Sequence, residues 1–129
     1  MLPQQSRMRR PDEFRHTMRA GRRAGSALLS GHLLLATEPE NSDAVSLSTA
    51  PKVGFIVSRA VGSAVVRNRV KRRLRELMRG RLASLPRGCL LVLRAHPAAA
   101  SARQADLAAD LDLVIGRLLR RQVGALRQE

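Results

Sequence analysis

Two apolar runs separated by one amphipathic segment constrain the fold of this chain most strongly. The first run, KVGFIVSRA at 52–60, is rich in β-branched residues and predicts a strand. The second run, CLLVLRA at 89–95, is apolar almost throughout, which is typical of a strand covered on both faces. Ser63 is a suitable N-cap for a helix that reaches about Met78. The pattern predicts a strand, a helix and a second strand in succession.

The predicted helix has two chemically different sides. At about 100° per residue its apolar positions fall within a stripe about 80° wide, which can pack against a sheet. The opposite side is polar and almost entirely positive, and the whole stretch between residues 63 and 79 holds seven basic residues against one acid. The stripe holds Val66, Val70, Leu74 and Leu77, the polar side holds Asn68, Lys71, Arg72, Arg75 and Arg79, and Arg67 and Arg69 lie at the borders.

The remaining elements complete an α+β domain in the order α-β-β-β-α-β-α. Pro11 suits a first helical turn, so we expect a helix over about 11–20 that ends at Gly21. We expect a single domain over 1–129, a two-layer sandwich with helices on one face of a small mixed sheet. The other expected segments are a flexible basic arm at 1–10, a brief strand near Ala24, a strand at 28–37, a loop at 38–51 and a C-terminal helix at 102–122.

The charge balance points to a polyanionic partner. Lys and Arg number 24 against 10 Asp and Glu, and the net charge of +14 opposes folding by self-repulsion unless an anion relieves it. No apolar run approaches the roughly 18 to 20 residues of a spanning helix, and the N-terminus lacks a signal-peptide core. The single cysteine, Cys89, fits a buried strand position in a reducing compartment. We therefore expect a cytoplasmic nucleic-acid binder with no membrane contact.

Residues for catalysis by the protein alone are not apparent. His16, His32 and His96 lie on three separate predicted elements, and structural or solvent-facing roles explain each of them. Asp106 and Asp110 are one helical turn apart, as ordinary solvated positions would be. No glycine pattern matches a phosphate-binding or dinucleotide loop. We expect a binding protein without a cofactor or small-molecule ligand of its own.

A basic helix face is often only a solvated surface, and here two features favour nucleic acid. A helix that is merely soluble intersperses acids with bases, whereas this face is nearly one-signed. Most of its charges are arginines, whose forked guanidinium suits phosphate.

At this helix the sequence resembles a known family. The stretch RNRVKRRLR at 67–75 matches the Arg-Asn-Arg-x-Lys-Arg-x-x-Arg signature of the bacterial ribonuclease P protein component. The preceding VGFIVSRAVGSAV is similar to that family's strand and glycine-containing turn, and RMRRPDEF with Gly21 is similar to its opening helix. The resemblance extends over nearly the whole chain.

The resemblance implies a ribosomal-protein-like domain with a left-handed crossover between its parallel strands. It implies a protein subunit that binds a large catalytic RNA, one to one, and the 5′ leader of precursor tRNA. In such an enzyme the leader is removed by metal-assisted hydrolysis, the chemistry belongs to the RNA, and Mg²⁺ is expected in the complex while the protein alone holds no cofactor.

The resemblance also implies two sets of contact residues. The set that contacts the catalytic RNA is Arg67, Asn68, Arg69, Lys71, Arg72 and Arg75, with Arg9 and Arg10 of the arm. The set that lines the leader cleft is Phe14, Met18, His32, Lys52, Ser58 and Arg59. The leader set departs from the family pattern, because Met18 and His32 stand where aromatic residues are common and Arg59 stands where Lys is usual.

Two other interpretations remain open at the level of the sequence. A ribosome-associated protein or general RNA chaperone on a similar α+β fold would carry the same basic helix. A DNA-binding basic helix is the third interpretation, but the chain offers no heptad repeat to set the spacing of a dimer.

Overall fold

The computed structural model describes residues 2–35 and 50–127, and for residues 121–127 it describes the backbone only. The predicted element order is confirmed, and the loop predicted at 38–51 lies almost entirely outside the described residues. The elements are α1 (Pro11–Ala20), β1 (Arg22–Gly25), β2 (Leu29–Leu34), β3 (Lys52–Ile56), α2 (Ala64–Arg79), β4 (Leu90–Ala95) and α3 (Gln104–Arg127).

The two helices nearest the candidate site begin as their sequences predict. Helix α1 has Pro11 in its first turn and ends where the N–H of Gly21 donates to the carbonyl of Thr17 at 2.9 Å. Helix α2 is capped by Ser63, whose Oγ accepts a hydrogen bond from the N–H of Val66 at 3.4 Å. Its buried side is formed by Val70, Leu74 and Met78.

The four strands form one mixed sheet in the order β1-β2-β4-β3. Strands β1, β2 and β4 pair antiparallel, and β3 pairs with β4 in parallel, so α2 connects two adjacent parallel strands. The left hand of that connection stays a prediction. Strand β3 ends at Ile56, earlier than expected, because the chain turns there: the N–H groups of Val61 and Gly62 donate to the carbonyls of Ser58 and Arg59.

Helices cover both faces of the sheet, which corrects the expectation of helices on one face. A Cβ at Gly31 would meet Val114 and Leu118 of α3, whereas a Cβ at Gly54 would meet Phe14 of α1. Register places these two glycines in adjacent rows, and adjacent rows of a strand point to opposite faces. The main core lies between the sheet and helices α2 and α3, where the expected two-layer arrangement holds, and α1 packs on the other face.

The N-terminal segment is packed, although a flexible basic arm was expected. Leu2 is 2% exposed and Met8 is 7% exposed, so both side chains are buried in the fold. The N–H of Met8 donates to the carbonyl of Val53 at 3.0 Å, and Arg7 forms a parallel bridge with Val53 at the outer edge of β3. Two apolar residues among the arginines are enough to hold this segment against the sheet.

Candidate nucleic-acid interface

Helix α2 presents its basic side to the surface. The side chains of Val70, Leu74 and Met78 are fully buried in the core, so the opposite side of the helix faces outward. Of the predicted contact residues, Asn68, Arg72 and Arg75 are exposed and Arg67, Arg69 and Lys71 are half-buried. The division of the helix into a buried apolar side and a more exposed basic side is therefore as the sequence predicted.

Backbone carbonyls hold three arginines of α2 in place. Nε of Arg67 donates to the carbonyl of Gly62 at 3.3 Å, and Nη2 of Arg69 donates to that of Ala100 at 3.5 Å. Nη1 of Arg73 donates to the carbonyl of Ala102 at 3.3 Å, just before α3 begins. Arg73 was not among the predicted contact residues, and the structure gives it the role of an anchor between α2 and the start of α3. These bonds restrict the guanidinium groups before any ligand arrives.

A second surface lies under α1, on the opposite face of the sheet. The ring of Phe14 packs over Gly54 of β3. Register sets Gly54 beside Val92 of β4, then His32 of β2 and Arg23 of β1, so these four positions point to the face that α1 covers. Phe14 and His32, predicted from resemblance to share a cleft, therefore belong to the same face of the sheet.

The side chain of His32 is buried in this face of the sheet, so its ring is not open for stacking with a base. Its side chain is only 8% exposed, and its Nδ1 has no hydrogen-bond partner among the described residues. Burial, followed by the positive charges of Arg23 and Arg94, lowers the pKa of His32 below its usual value of 6.5. The ring is thus neutral at pH 7, and its faces are not offered to a base.

Lys52 is paired within the protein. Its Nζ lies 3.2 Å from Oε2 of Glu13 in α1, with 38% of the lysine side chain and 20% of the glutamate side chain exposed. The pair ties α1 to the start of β3 and offsets part of the positive charge at this end of the cleft. The family resemblance assigned Lys52 to the leader cleft, and the sequence did not indicate its ion pair with Glu13.

The other predicted cleft residues spread along the strand direction. Met18 is half-buried on α1, one turn beyond Phe14. Ser58 and Arg59 lie in the turn after β3, six and seven positions from Lys52. Strand β3 separates them, since Lys52 is its first residue and the turn follows its last residue, Ile56.

A cavity of about 300 Å³ connects the two predicted surfaces at the outer edge of β3. It brings Phe14 of the leader set together with Arg9, Lys71 and Arg75 of the catalytic-RNA set, and it adds Arg7, which belongs to neither predicted set. A neighbouring cavity of about 300 Å³ shares Arg7 and Arg9 with it and is also lined by Gln4, Gln5, Arg10, Glu13 and Lys52. The packed N-terminal segment thus makes the basic surface continuous from α2 to the start of α1.

His96, Asp110 and Asp106, which lie outside this surface, have partners within the protein. Nε2 of His96 lies 2.7 Å from Oγ of Ser30, and Asp110 accepts hydrogen bonds from Oγ of Ser26 at 2.5 Å and the N–H of Leu28 at 3.2 Å. Asp110 is therefore a fixed link between α3 and the turn before β2, not the solvated position that was expected. Asp106 pairs with Arg103 at the surface, as an ordinary helix residue does.

Within residues 2–35 and 50–127, no three or more His, Cys, Asp or Glu side chains come together as a metal site would require. Over the same residues no helix is long and apolar enough to cross a membrane.

Comparison with known proteins decides the family. The family model described as Ribonuclease P matches residues 2–119. The ribonuclease P protein component of Streptomyces avermitilis is 54% identical over 121 residues, which cover 92% of this chain and 96% of that protein. The chain belongs to the ribonuclease P protein family. The ribonuclease P protein component of Streptomyces griseus is 51% identical over 120 residues, which cover 92% of this chain and 96% of that protein.

Solved structures agree with the ribonuclease P fold. The ribonuclease P protein of Staphylococcus aureus superposes with a TM-score of 0.72 at 17% identity, covering 86% of this chain and 93% of that one. As a ribonuclease P protein component, the chain takes part in tRNA processing as a component of an endoribonuclease, and this membership implies an RNA partner in the complex.

Proposed function

We propose that this protein binds the catalytic RNA of ribonuclease P through α2 and the N-terminal segment, and holds the 5′ leader of precursor tRNA against the face under α1. The observation that carries the proposal is the continuous basic surface from Arg75 and Lys71 through Arg9 and Arg7 to Lys52. A subunit that lies between the catalytic RNA and precursor tRNA must contact both at once, and one continuous basic surface allows this.

The α2 side suits a folded RNA. Its exposed polar side chains are Asn68, Arg72, Arg75, Arg79 and one acid, Glu76. The amide and the guanidinium groups donate to phosphate oxygens without reading bases. If about six of the seven basic side chains between residues 63 and 79 met phosphates, log K would fall with log salt at a slope of about −4, using about 0.7 per phosphate of a single strand. Such binding positions an RNA by shape and charge.

The chemistry in this proposal belongs to the RNA. The described residues present no nucleophile with an adjacent base in the basic surface, and His32 is buried and neutral. Mg²⁺ prefers clustered oxygen ligands, and the described carboxylates do not cluster, so we place the Mg²⁺ ions of the complex on the RNA. The protein contributes by holding the leader and neutralising phosphates where the RNA cleaves. A one-to-one complex in the cytoplasm is part of the same proposal.

The test compares precursor and mature tRNA on the assembled complex. Phe14→Ala should weaken binding of the precursor several-fold and leave mature tRNA unchanged, because only the precursor carries a leader to contact that ring. His16→Ala, at an exposed position of the same helix, is the matched control.

Equal loss for both tRNAs would contradict a leader site under α1. Failure of the wild-type protein to bind the catalytic RNA, with retention of ribosomal RNA instead, would favour the alternative of a general RNA-binding protein.

A further inference from the structure

We propose that Glu13 is a specificity-determining residue that limits how strongly the protein binds RNA, because its carboxylate withholds the Lys52 ammonium from phosphate. The inference rests on the proposed RNA-binding function, and it concerns an acid that neither predicted contact set contains. In a chain of net charge +14, an acid fixed inside the basic surface works against the binding of a polyanion. Glu13 thereby sets the number of phosphates that this surface neutralises.

The fold fixes both members of the pair. The ring of Phe14 packs over Gly54, so the preceding residue, Glu13, is held at the start of β3. Lys52 lies two positions before Gly54 and therefore points to the same face of the sheet. Its N–H donates to the carbonyl of Cys89 at 2.9 Å, and its Nζ reaches Oε2 of Glu13 at 3.2 Å. Less side-chain freedom is lost here than when two mobile surface residues pair.

The carboxylate of this pair is better shielded from solvent than that of a neighbouring pair. The side chain of Glu13 is 20% exposed and that of Lys52 is 38% exposed. Asp12, one residue earlier on α1, pairs with Arg10 at the same distance of 3.2 Å, but there the side chains are 57% and 72% exposed. Water and salt screen the exposed pair more strongly, so a phosphate replaces Asp12 more easily than Glu13.

Glu13 is also the point at which the sign of the surface changes. Four cations line the cavity of about 300 Å³ at the start of α1, namely Arg7, Arg9, Arg10 and Lys52. Among the described residues that line this cavity, Glu13 is the one acid. The described residues that line the cavity at the outer edge of β3 include no Asp or Glu. The opposing charge is therefore confined to the Lys52 end of the basic surface.

A lysine that is already paired adds little to the binding of RNA. A phosphate that meets a free ammonium releases its own condensed counterion, and each such contact adds about 0.7 to the steepness of the salt dependence for a single strand. A phosphate beside the neutral pair of Lys52 and Glu13 keeps its counterion. Glu13 therefore removes about one phosphate contact, and that phosphate belongs either to the leader or to the catalytic RNA.

Four proteins test this role: the wild type, Glu13→Gln, Lys52→Met and the double variant. Binding of precursor and mature tRNA to the assembled complex, and of the catalytic RNA to the protein, is measured over a series of salt concentrations. Glu13→Gln keeps the shape of the side chain and removes its charge. Asp12→Asn is the matched control, because it removes the same charge from an exposed position in the same turn of α1.

We expect Glu13→Gln to bind RNA about two- to fivefold more tightly, which is the range of one partly exposed ion pair. It should also steepen the salt dependence by about 0.7. Lys52→Met should change the salt dependence little while Glu13 is present, and it should abolish the steepening in the double variant. A gain confined to precursor tRNA assigns the phosphate to the leader, and a gain with the catalytic RNA assigns it to that molecule.

Stability gives a second readout with the opposite sign. Glu13→Gln should unfold at a lower urea concentration than the wild type, because the ion pair between α1 and β3 is lost. Tighter binding by a less stable protein separates this role from a merely structural one, which would weaken both.

An unchanged salt dependence in Glu13→Gln, weaker binding by that variant, or an equal gain in Asp12→Asn would overturn the inference. Failure of the proposed function is a separate result, because the wild-type protein would then bind neither RNA at any salt concentration.

Discussion

The ring of Phe14 lies so close to Gly54 that a Cβ at residue 54 would fall 2.5 Å from both Cε1 and Cζ of the ring. The contact packs α1 against β3, and the same ring lines the cavity at the outer edge of β3. Only glycine permits this approach, so the position of the ring depends on a residue that has no side chain.

Gly54→Ala should displace the ring. We expect a loss of about 1–3 kcal/mol in the free energy of unfolding, which is typical of overpacking, and weaker binding of precursor tRNA by the assembled complex. Urea denaturation measures the first effect. Gly25→Ala is the matched control, because a Cβ there would lie 3.8 Å from the nearest atom of Ser30. An unchanged stability for Gly54→Ala would contradict the packing of Phe14 on this strand.

Arg73 and Asn68 should separate stability from binding. Arg73→Ala removes the hydrogen bond to Ala102 and should lower the free energy of unfolding by about 1 kcal/mol. Asn68→Ala, at an exposed position, should keep stability within about 0.5 kcal/mol of the wild type and weaken binding of the catalytic RNA several-fold. Arg69→Ala should do both, since Arg69 contacts Ala100 from the border of the basic side. Denaturation and filter binding are measured on the same preparations, and equal stability losses for all three variants would make α2 purely structural.

His32 should make the protein less stable in mild acid. Its pKa is lowered in the folded state by burial and then by Arg23 and Arg94, so the unfolded chain takes up the proton first. Above about pH 6.5, His32 is neutral in both states and does not lower the free energy of unfolding. As the pH drops below that value the free energy of unfolding decreases, and the decrease ends below the pKa of His32 in the folded state. The slope from this one group is at most about 1.4 kcal/mol per pH unit.

Urea denaturation between about pH 5 and 8 checks this dependence. His32→Leu should flatten the curve, whereas His16→Gln, at an exposed position, should leave it as in the wild type. An unchanged slope in His32→Leu would mean that another group is responsible.

Cys89 should be unreactive in the folded protein at neutral pH. The side chain is buried, and burial raises the pKa of its thiol to about 11, so the thiolate fraction is very small. A thiol-reactive chromogenic disulfide should label it rapidly in urea and at least a hundredfold more slowly in buffer. Comparable rates in the two conditions would show that β4 opens readily.

The sequence predicted the elements whose signals are local. Ser63, Pro11 and Gly21 mark helix ends through backbone chemistry that acts within one turn, and the apolar stripe of α2 follows from helical periodicity. The basic side of α2 could be predicted for the same reason, because the core side determines which side remains outward.

What the sequence did not predict depends on contacts between distant residues. The packing of Leu2 and Met8 requires the edge of β3, and the ion pair of Lys52 requires Glu13 of another element. The anchoring role of Arg73 depends on a carbonyl 29 positions away, and that of Asp110 on a turn 82 to 84 positions away. No local pattern distinguishes these residues from solvated neighbours of the same type.

The measurement that tests the account most directly is reconstitution of precursor tRNA cleavage with the purified protein and the cognate catalytic RNA. At low magnesium concentration, the protein alone should leave the precursor intact, and the protein with the RNA should remove the 5′ leader at a single site. The variant Arg67→Ala, Asn68→Ala, Arg69→Ala should need more protein to restore cleavage, and added salt should raise that requirement further. Accurate leader removal by the protein without RNA, or no effect of the protein on cleavage by the RNA, would contradict the account.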